Sequence, residues 1–206
     1  MPFSDELTPD QALQKMLDGN KRFVENSMKF GSGISHQRRE DVAKAQNPYA
    51  VVIACSDSRV PPEYIFDAGV GDIFVIRNAG NLLDDVTFGS IEYAALMLKT
   101  PLLIVLGHTN CGAISSTIKA FQNPEEFGTS HIDNIIGRLL PAVISVKEQT
   151  DDLHKWHELT VTKNIENVAW QIQKNSPEIA KLVAEGKFKI ARAVYDTVHG
   201  KVDLVN

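Results

Sequence analysis

The stretch LLIVLGHTNCGAISSTIKAF, residues 102–121, joins a predicted strand directly to a predicted helix. Its first part, LLIVLG, is a continuous apolar run, which is typical of a strand buried on both faces. The helix opens at CGAISSTIKAF, just after the turn that contains His108. A strand followed at once by a helix is the building unit of parallel sheets, so this stretch predicts an α/β fold.

The same alternation of strand and helix extends to both sides of this stretch. AVVIAC (50–55) and DIFVIRN (72–78) are predicted strands, and a helix is predicted over 85–99. The C-terminal segment KIARAVYDTVHGKVDLV predicts a strand and a short hairpin partner, with the turn at His199-Gly200. We therefore expect a mostly parallel central sheet of about four parallel strands plus a C-terminal edge strand, flanked by helices. Further helices are predicted near 9–23, 133–147, 152–174 and 177–185.

Length and composition predict one globular domain over residues 1–206 and exclude several classes of function. The net charge is −5, the pI is about 5.7, and no block of basic residues is present, so we expect no nucleic-acid partner. The longest apolar run, PLLIVLG (101–107), is too short to span a bilayer, so we expect no membrane partner. Two cysteines and an N-terminus without an apolar segment predict a cytoplasmic location, unless a leader has been removed.

Three side chains with zinc-binding chemistry lie at or just after predicted strand ends. Cys55 ends one strand, and His108 and Cys111 form an H-x-x-C pair after another. The carboxyl ends of parallel strands meet at one edge of a sheet, so these side chains are expected to share a site. Two cysteines and one histidine suit zinc, and three protein ligands leave a fourth position open, as in catalytic zinc sites. Because thiolates donate more electron density than imidazoles, we expect activity to rise toward mildly alkaline pH.

Asp57 and Arg59 accompany the first cysteine in ACSDSRV (54–60). Alternate residues of an extended segment share a face, so Cys55, Asp57 and Arg59 are expected to point the same way. A free carboxylate beside zinc would bind it, whereas a bidentate arginine would hold the carboxylate away from the metal. We therefore predict a catalytic pair in which Asp57 accepts a hydrogen bond from a zinc-bound hydroxide and orients it toward an electrophile.

The combination of C-x-D-x-R and H-x-x-C resembles the β-class carbonic anhydrases, and so do the segments around it. The similar segments are ACSDSRVPPE, FVIRNAGN, GSIEYA and VLGHTNCGA, in the family's order and at family-like spacing. The resemblance implies that Cys55, His108 and Cys111 bind one Zn²⁺ per chain and that Asp57 and Arg59 are the catalytic dyad. It also implies that Asp57 becomes the fourth zinc ligand in a closed, inactive state.

The resemblance further implies a narrow, apolar substrate pocket. Gln46 matches a glutamine that hydrogen-bonds the substrate, and Phe74, Ala79 and Tyr93 match positions that line the pocket. The family often has a larger aliphatic residue at the position of Ala79, so the shape of the pocket differs here. One subgroup of the family is switched by bicarbonate at a second site that needs a tryptophan where this chain has Val52. We therefore expect the non-allosteric form.

The resemblance also implies a reaction and an assembly. The reaction is the reversible hydration of CO2 to bicarbonate and a proton, in which a zinc-bound hydroxide attacks CO2. The family is built from dimers, so we expect a homodimer, or a tetramer formed from two dimers. Residues 1–45 would form a helical dimerisation arm, and residues 46–206 would form the zinc-binding core.

Two other functions are compatible with the same residues. Hydrolysis of carbonyl sulfide or carbon disulfide would use the same zinc site on the same scaffold. A non-catalytic zinc module would use the ligands for stability alone. His154 and His157, three residues apart, offer a further pair of imidazoles, but their pattern favours a solvated helix face.

Overall fold

A central parallel sheet organises the computed structural model, which describes residues 7–126, 128 and 130–205. The strands are β1 (Ala50–Cys55), β2 (Ile73–Asn78), β3 (Leu102–His108), β4 (Lys189–Tyr195) and β5 (Val202–Leu204). Their order is β2-β1-β3-β4-β5. The first four strands run parallel, and β5 is antiparallel to β4. This confirms the predicted α/β fold, including the C-terminal edge strand.

Helices cover both faces of the sheet. They are α1 (Pro9–Val24), α2 (Phe30–Gly33), α3 (His36–Val42), α4 (Pro62–Ile65), α5 (Asp85–Glu92), α6 (Gly112–Gln122), α7 (Ile132–Lys147), α8 (Leu153–Asn175) and α9 (Pro177–Ala184). The helix predicted over 85–99 is shorter than expected, because the chain widens into a π-helical turn at Tyr93–Met97. None of the helices in the described part of the chain combines the length and apolar character needed to cross a membrane.

The residues of β1 alternate between two buried layers. Val51 and Ile53 belong to a core built with α6 to α9, whereas Val52 and Ala54 belong to a core on the opposite face, built with α1 and α4. Every residue of β1 is buried, which explains why the strand is a continuous apolar run rather than an alternating one.

Helix α1 packs on the sheet of its own chain. It begins with a capping box, in which the side chains of Thr8 and Gln11 bond reciprocally to backbone N–H groups. Asn20, near its end, donates from Nδ2 to the carbonyl oxygens of Ile65 and Gly200, at 3.1 and 2.8 Å. The helix is therefore anchored to its own domain.

Candidate metal centre

Cys55, His108 and Cys111 converge at the carboxyl edge of the sheet. Cys55 is the last residue of β1 and His108 the last of β3, while Cys111 immediately precedes α6. All three side chains are buried, and their ligand atoms lie within 4.8 Å of one another. This confirms that the three predicted ligands form a group able to hold a metal ion.

The imidazole of His108 is prepared for metal binding. Its Nδ1 lies 2.9 Å from the carbonyl oxygen of Thr109. A carbonyl oxygen only accepts hydrogen bonds, so Nδ1 carries the proton and Nε2 carries a lone pair. Nε2 is buried and has no hydrogen-bond partner among the described residues. A buried polar atom without a partner is costly, and a bound zinc ion would satisfy it.

The two cysteines are free thiols with opposite acidities. The hydrogen bond between their side chains lowers the pKa of Cys55 and raises the pKa of Cys111. The backbone N–H of Gly80 also points at the sulfur of Cys55, with N and Sγ 3.4 Å apart, and it favours the thiolate. The site therefore offers two sulfur donors and one imidazole nitrogen, a donor set that fits zinc.

Asp57 and Arg59 form the predicted bidentate pair. Arg59 donates from Nε to Oδ1 of Asp57 at 2.9 Å and from Nη2 to Oδ2 at 2.7 Å. These bonds hold the pKa of Asp57 far below its usual range. The predicted extended segment is wrong, however. The backbone N–H groups of Arg59 and Val60 bond back to the side chain and the carbonyl of Asp57, so the pair is formed by a turn.

Two arginines connect this turn to its surroundings. Arg59 Nη2 also donates to the carbonyl oxygen of Asn110, at 3.1 Å, in the loop between His108 and Cys111. Arg77 donates to the carbonyl oxygens of Cys55 and Asp57, at 3.0 and 2.7 Å. Sequence reasoning missed Arg77, although a charged residue inside the apolar strand DIFVIRN was a usable signal.

The predicted pocket residues do not all lie beside the ligands of their own chain. Ala79 precedes Gly80, which contacts Cys55, so it borders the site. Phe74 pairs in register with Val51, about 13 Å along β1 from Cys55 at 3.3 Å per residue. The ring of Tyr93 lies 6.4 Å from that of Phe74.

Gln46 lies farther from the metal site of its own chain. Tyr49, three residues later, still pairs with Asp72 and is about 20 Å along the sheet from Cys55. Gln46 is exposed before the amino end of β1, whereas the ligands lie at the carboxyl end. The structure therefore does not bring Gln46 to the zinc ligands of its own chain.

Sequence reasoning also missed two residues of α8 that contact the ligand loops. Nε2 of His157 lies 3.1 Å from the carbonyl oxygen of Cys111, so His157 is half-buried rather than on a solvated face. Asn164 donates from Nδ2 to the carbonyl oxygen of Gly80, at 3.0 Å. Their seven-residue spacing on one helix face was the only signal in the sequence.

Sequence comparison places the chain among the carbonic anhydrases. A family model described as carbonic anhydrase matches residues 50–202. A carbonic anhydrase of Mycolicibacterium smegmatis is 38% identical over 205 residues, which cover 99% of this chain and 95% of that protein. Carbonic anhydrase 2 of Mycobacterium tuberculosis is 35% identical over 196 residues, which cover 95% and 92%.

Solved structures with a similar fold agree with this assignment. The β-carbonic anhydrase CcaA superposes with a TM-score of 0.73 at 26% identity, over 94% of this chain and 95% of that chain. A Coccomyxa β-carbonic anhydrase in complex with acetazolamide gives a TM-score of 0.73 at 25% identity, over 94% and 86%. With the ligand group, the sheet topology and the family match in agreement, the chain belongs to the β-carbonic anhydrase family.

Proposed function

We propose that this chain catalyses the reversible hydration of CO2 to bicarbonate and a proton, with one zinc ion held by Cys55, His108 and Cys111. The observation that carries the proposal is the buried Nε2 of His108, which has no hydrogen-bond partner among the described residues. His108 belongs to a group with two thiols whose ligand atoms all lie within 4.8 Å of one another. The relatives at 38% and 35% identity are named carbonic anhydrases, which supports the same activity here.

The metal and the chain have separate tasks in this reaction. Bound zinc acts as a Lewis acid that lowers the pKa of water, so that a nucleophile forms near neutral pH. Asp57 orients the attacking water by accepting a hydrogen bond from it. Oδ1 of Asp57 already accepts two hydrogen bonds from Arg59, whereas Oδ2 accepts one. Oδ2 therefore has a lone pair available for the water.

Arg59 keeps Asp57 in this role. A carboxylate beside a divalent cation is a good ligand and would occupy the position that the reaction needs. The bidentate pair with Arg59 satisfies the carboxylate by other means and fixes its orientation. Loss of this pair would let Asp57 become a fourth ligand and close the site.

The working unit that we propose is a dimer in which each subunit completes the other's pocket. Strand β2 is an edge of the sheet, and its apolar residues are only partly buried. Nearby, Tyr93 is 49% exposed and Met97 is 68% exposed. An exposed apolar edge strand is a surface that proteins normally cover. A partner on this edge would bring Gln46, Phe74 and Tyr93 toward the partner's zinc site.

The same proposal assigns different tasks to the N-terminal segment and to the rest of the chain. Residues 46–206 would carry the zinc site, while residues 1–45 would serve as the dimerisation arm, with α1 anchored on its own sheet. We also propose a cytoplasmic location, because a chain with only two cysteines fits a reducing compartment.

The experiment that tests the activity offers two substrates to the same zinc-loaded protein. Stopped-flow mixing with a pH indicator measures CO2 hydration, and sulfide release measures hydrolysis of carbonyl sulfide. The proposal predicts fast CO2 hydration that is lost on zinc removal. Sulfide release without CO2 hydration would assign the other reaction, and neither activity at full zinc content would assign a structural zinc site.

A further inference from the structure

One face of helix α8 contacts the polypeptide around all three zinc ligands. The contacting residues are His157, Val161, Asn164 and Ile165, and their spacing places them on the same side of the helix. The contacts reach the main chain at Cys111, at Gly80 and at Gly107. Each of these positions is a zinc ligand or lies next to one.

Asn164 fixes the loop that faces Cys55. It is 4% exposed and donates from Nδ2 to the carbonyl oxygen of Gly80 at 3.0 Å. The N–H of the same glycine points at the sulfur of Cys55. Gly80 and Asn81 both have left-handed backbones, with φ of +80° and +45°. Glycine and asparagine are the residues that adopt this conformation most readily, and the bond from Asn164 holds the peptide carbonyl between them.

His157 fixes the loop that carries Cys111. Its Nε2 lies 3.1 Å from the carbonyl oxygen of Cys111, and a carbonyl accepts, so the imidazole donates. Cys111 is the residue that caps the start of α6, so its main chain sets where the thiol emerges. His157 and Asn164 are seven residues apart, about two helical turns. One helix therefore contacts both the loop that carries Cys111 and the loop at Gly80 that faces Cys55.

The close approach of α8 to β3 depends on Gly107. A Cβ atom at Gly107 would lie 2.6 Å from Cδ1 of Ile165 and 3.0 Å from Cγ1 of Val161. A side chain there would displace the side chains of Ile165 and Val161, through which α8 packs on the strand that ends in His108. The helix therefore packs closely against the residue that precedes His108.

We propose that His157 and Asn164 are positioning residues of the zinc site. Through them, α8 sets the separation between the loop at Gly80, which faces Cys55, and the loop that carries Cys111, and thereby the zinc affinity. The inference rests on the proposed function only in taking zinc as the metal. Residues that orient metal ligands in this way commonly change metal affinity by about 10- to 100-fold when they are replaced. The same replacements would change the ligand geometry around the metal.

Two pairs of variants test the proposal. His157→Leu removes the donor, whereas His157→Gln keeps an N–H at a position similar to Nε2 and should rescue the effect. Asn164→Leu removes the second donor and keeps the same branched side-chain skeleton. Asn20→Leu is its matched control, because Asn20 is equally 4% exposed and also donates from Nδ2 to main-chain carbonyls. Its helix packs on the opposite face of the sheet from the core that contains Cys55 and Cys111.

The readouts are zinc affinity, measured by competition with a chromophoric chelator, and the absorption spectrum of the Co²⁺-substituted protein. We expect His157→Leu and Asn164→Leu to bind zinc about 10-fold more weakly or worse and to shift the Co²⁺ spectrum. His157→Gln and Asn20→Leu should match the wild type in both. Equal zinc affinity and equal spectra for wild type, His157→Leu and His157→Gln would overturn the proposal. Neither readout uses catalysis, so a failure of CO2 hydration would be recognised separately.

Discussion

Arg59 holds the carboxylate of Asp57 through two parallel hydrogen bonds, from Nε to Oδ1 and from Nη2 to Oδ2. The pair follows closely after Cys55 in the sequence. An ionised carboxylate therefore lies beside the metal site, with its negative charge already balanced by the arginine. The arginine also bonds to the carbonyl of Asn110 between the other two ligands. Arg59 thus links Asp57 to the loop between His108 and Cys111.

Asp57→Asn should separate catalysis from metal binding. The amide keeps the shape of the side chain but loses the charge that pairs with Arg59 and orients the water. We expect kcat to fall by about 100-fold or more, a typical loss for a proton-handling group, with zinc content unchanged. Stopped-flow turnover and zinc analysis on the same sample check this. Near-normal turnover would show that Asp57 has no role in the reaction.

Arg59→Ala should inactivate the protein by a different route. Without its partner, the pKa of Asp57 returns toward the usual carboxyl range, yet the group stays ionised at neutral pH. The freed carboxylate should then bind the metal, so activity is lost while zinc is retained. The Co²⁺ spectrum should report a fourth protein ligand. Arg38→Ala, which breaks the remote pair with Asp72, is the control and should change neither the activity nor the Co²⁺ spectrum.

Zinc retention should decrease on acidification. Zinc binds thiolates, and the pKa of Cys111 is raised by its hydrogen bond to Cys55 and by burial. The metal-free site therefore keeps the Cys111 proton at neutral pH, and zinc must displace it. Affinity should rise with pH, and binding should release protons. Calorimetry in buffers of different ionisation enthalpy measures this release, and a pH-independent affinity would contradict it.

Gly80→Ala should weaken both the fold and the site. Its φ of +80° disfavours a side chain, and the added Cβ would lie 3.1 Å from Cδ1 of Leu139. We expect a loss of about 1 to 2 kcal/mol in the free energy of unfolding, with weaker zinc binding. Gly137→Ala is the matched control. That helical position has no atom within 4 Å of a new Cβ, so alanine should stabilise by up to about 1 kcal/mol.

Mixed dimers should reveal which subunit's pocket Gln46 serves. Gln46→Ala and Asp57→Asn homodimers are each expected to be poorly active. If Gln46 completes the partner's pocket, a mixed dimer has one site with both residues intact, and activity returns to about half that of the wild type. Co-expression with two affinity tags isolates the mixed species. No recovery in the mixed dimer would assign Gln46 to the site of its own chain, and a fully active Gln46→Ala homodimer would show that Gln46 serves neither site.

The ligands and the sheet could be predicted from the sequence because local patterns determine them. The apolar runs that end at Cys55 and just before His108 are strands buried on both faces, and parallel strands bring their carboxyl ends together. The turn at Asp57 was missed, because the aspartate side chain bonds to its own backbone instead of leaving the chain extended.

The contacts of α8 could not be predicted in the same way. Helical periodicity indicates which residues share a face but not which loop that face meets. His157 therefore looked like a solvated residue, although it lies against Cys111. The position of Gln46 could not be predicted either, because no local pattern shows that it lies before the amino end of β1, away from the ligands at the carboxyl end.

The most direct test of the central claim is a zinc titration of the metal-free protein, followed by CO2 hydration at about pH 8. We expect activity to rise linearly and to stop rising at one zinc per chain, with no activity before zinc is added. Binding of one zinc per chain without any hydration of CO2 would contradict it, and so would full hydration activity in protein from which zinc has been removed.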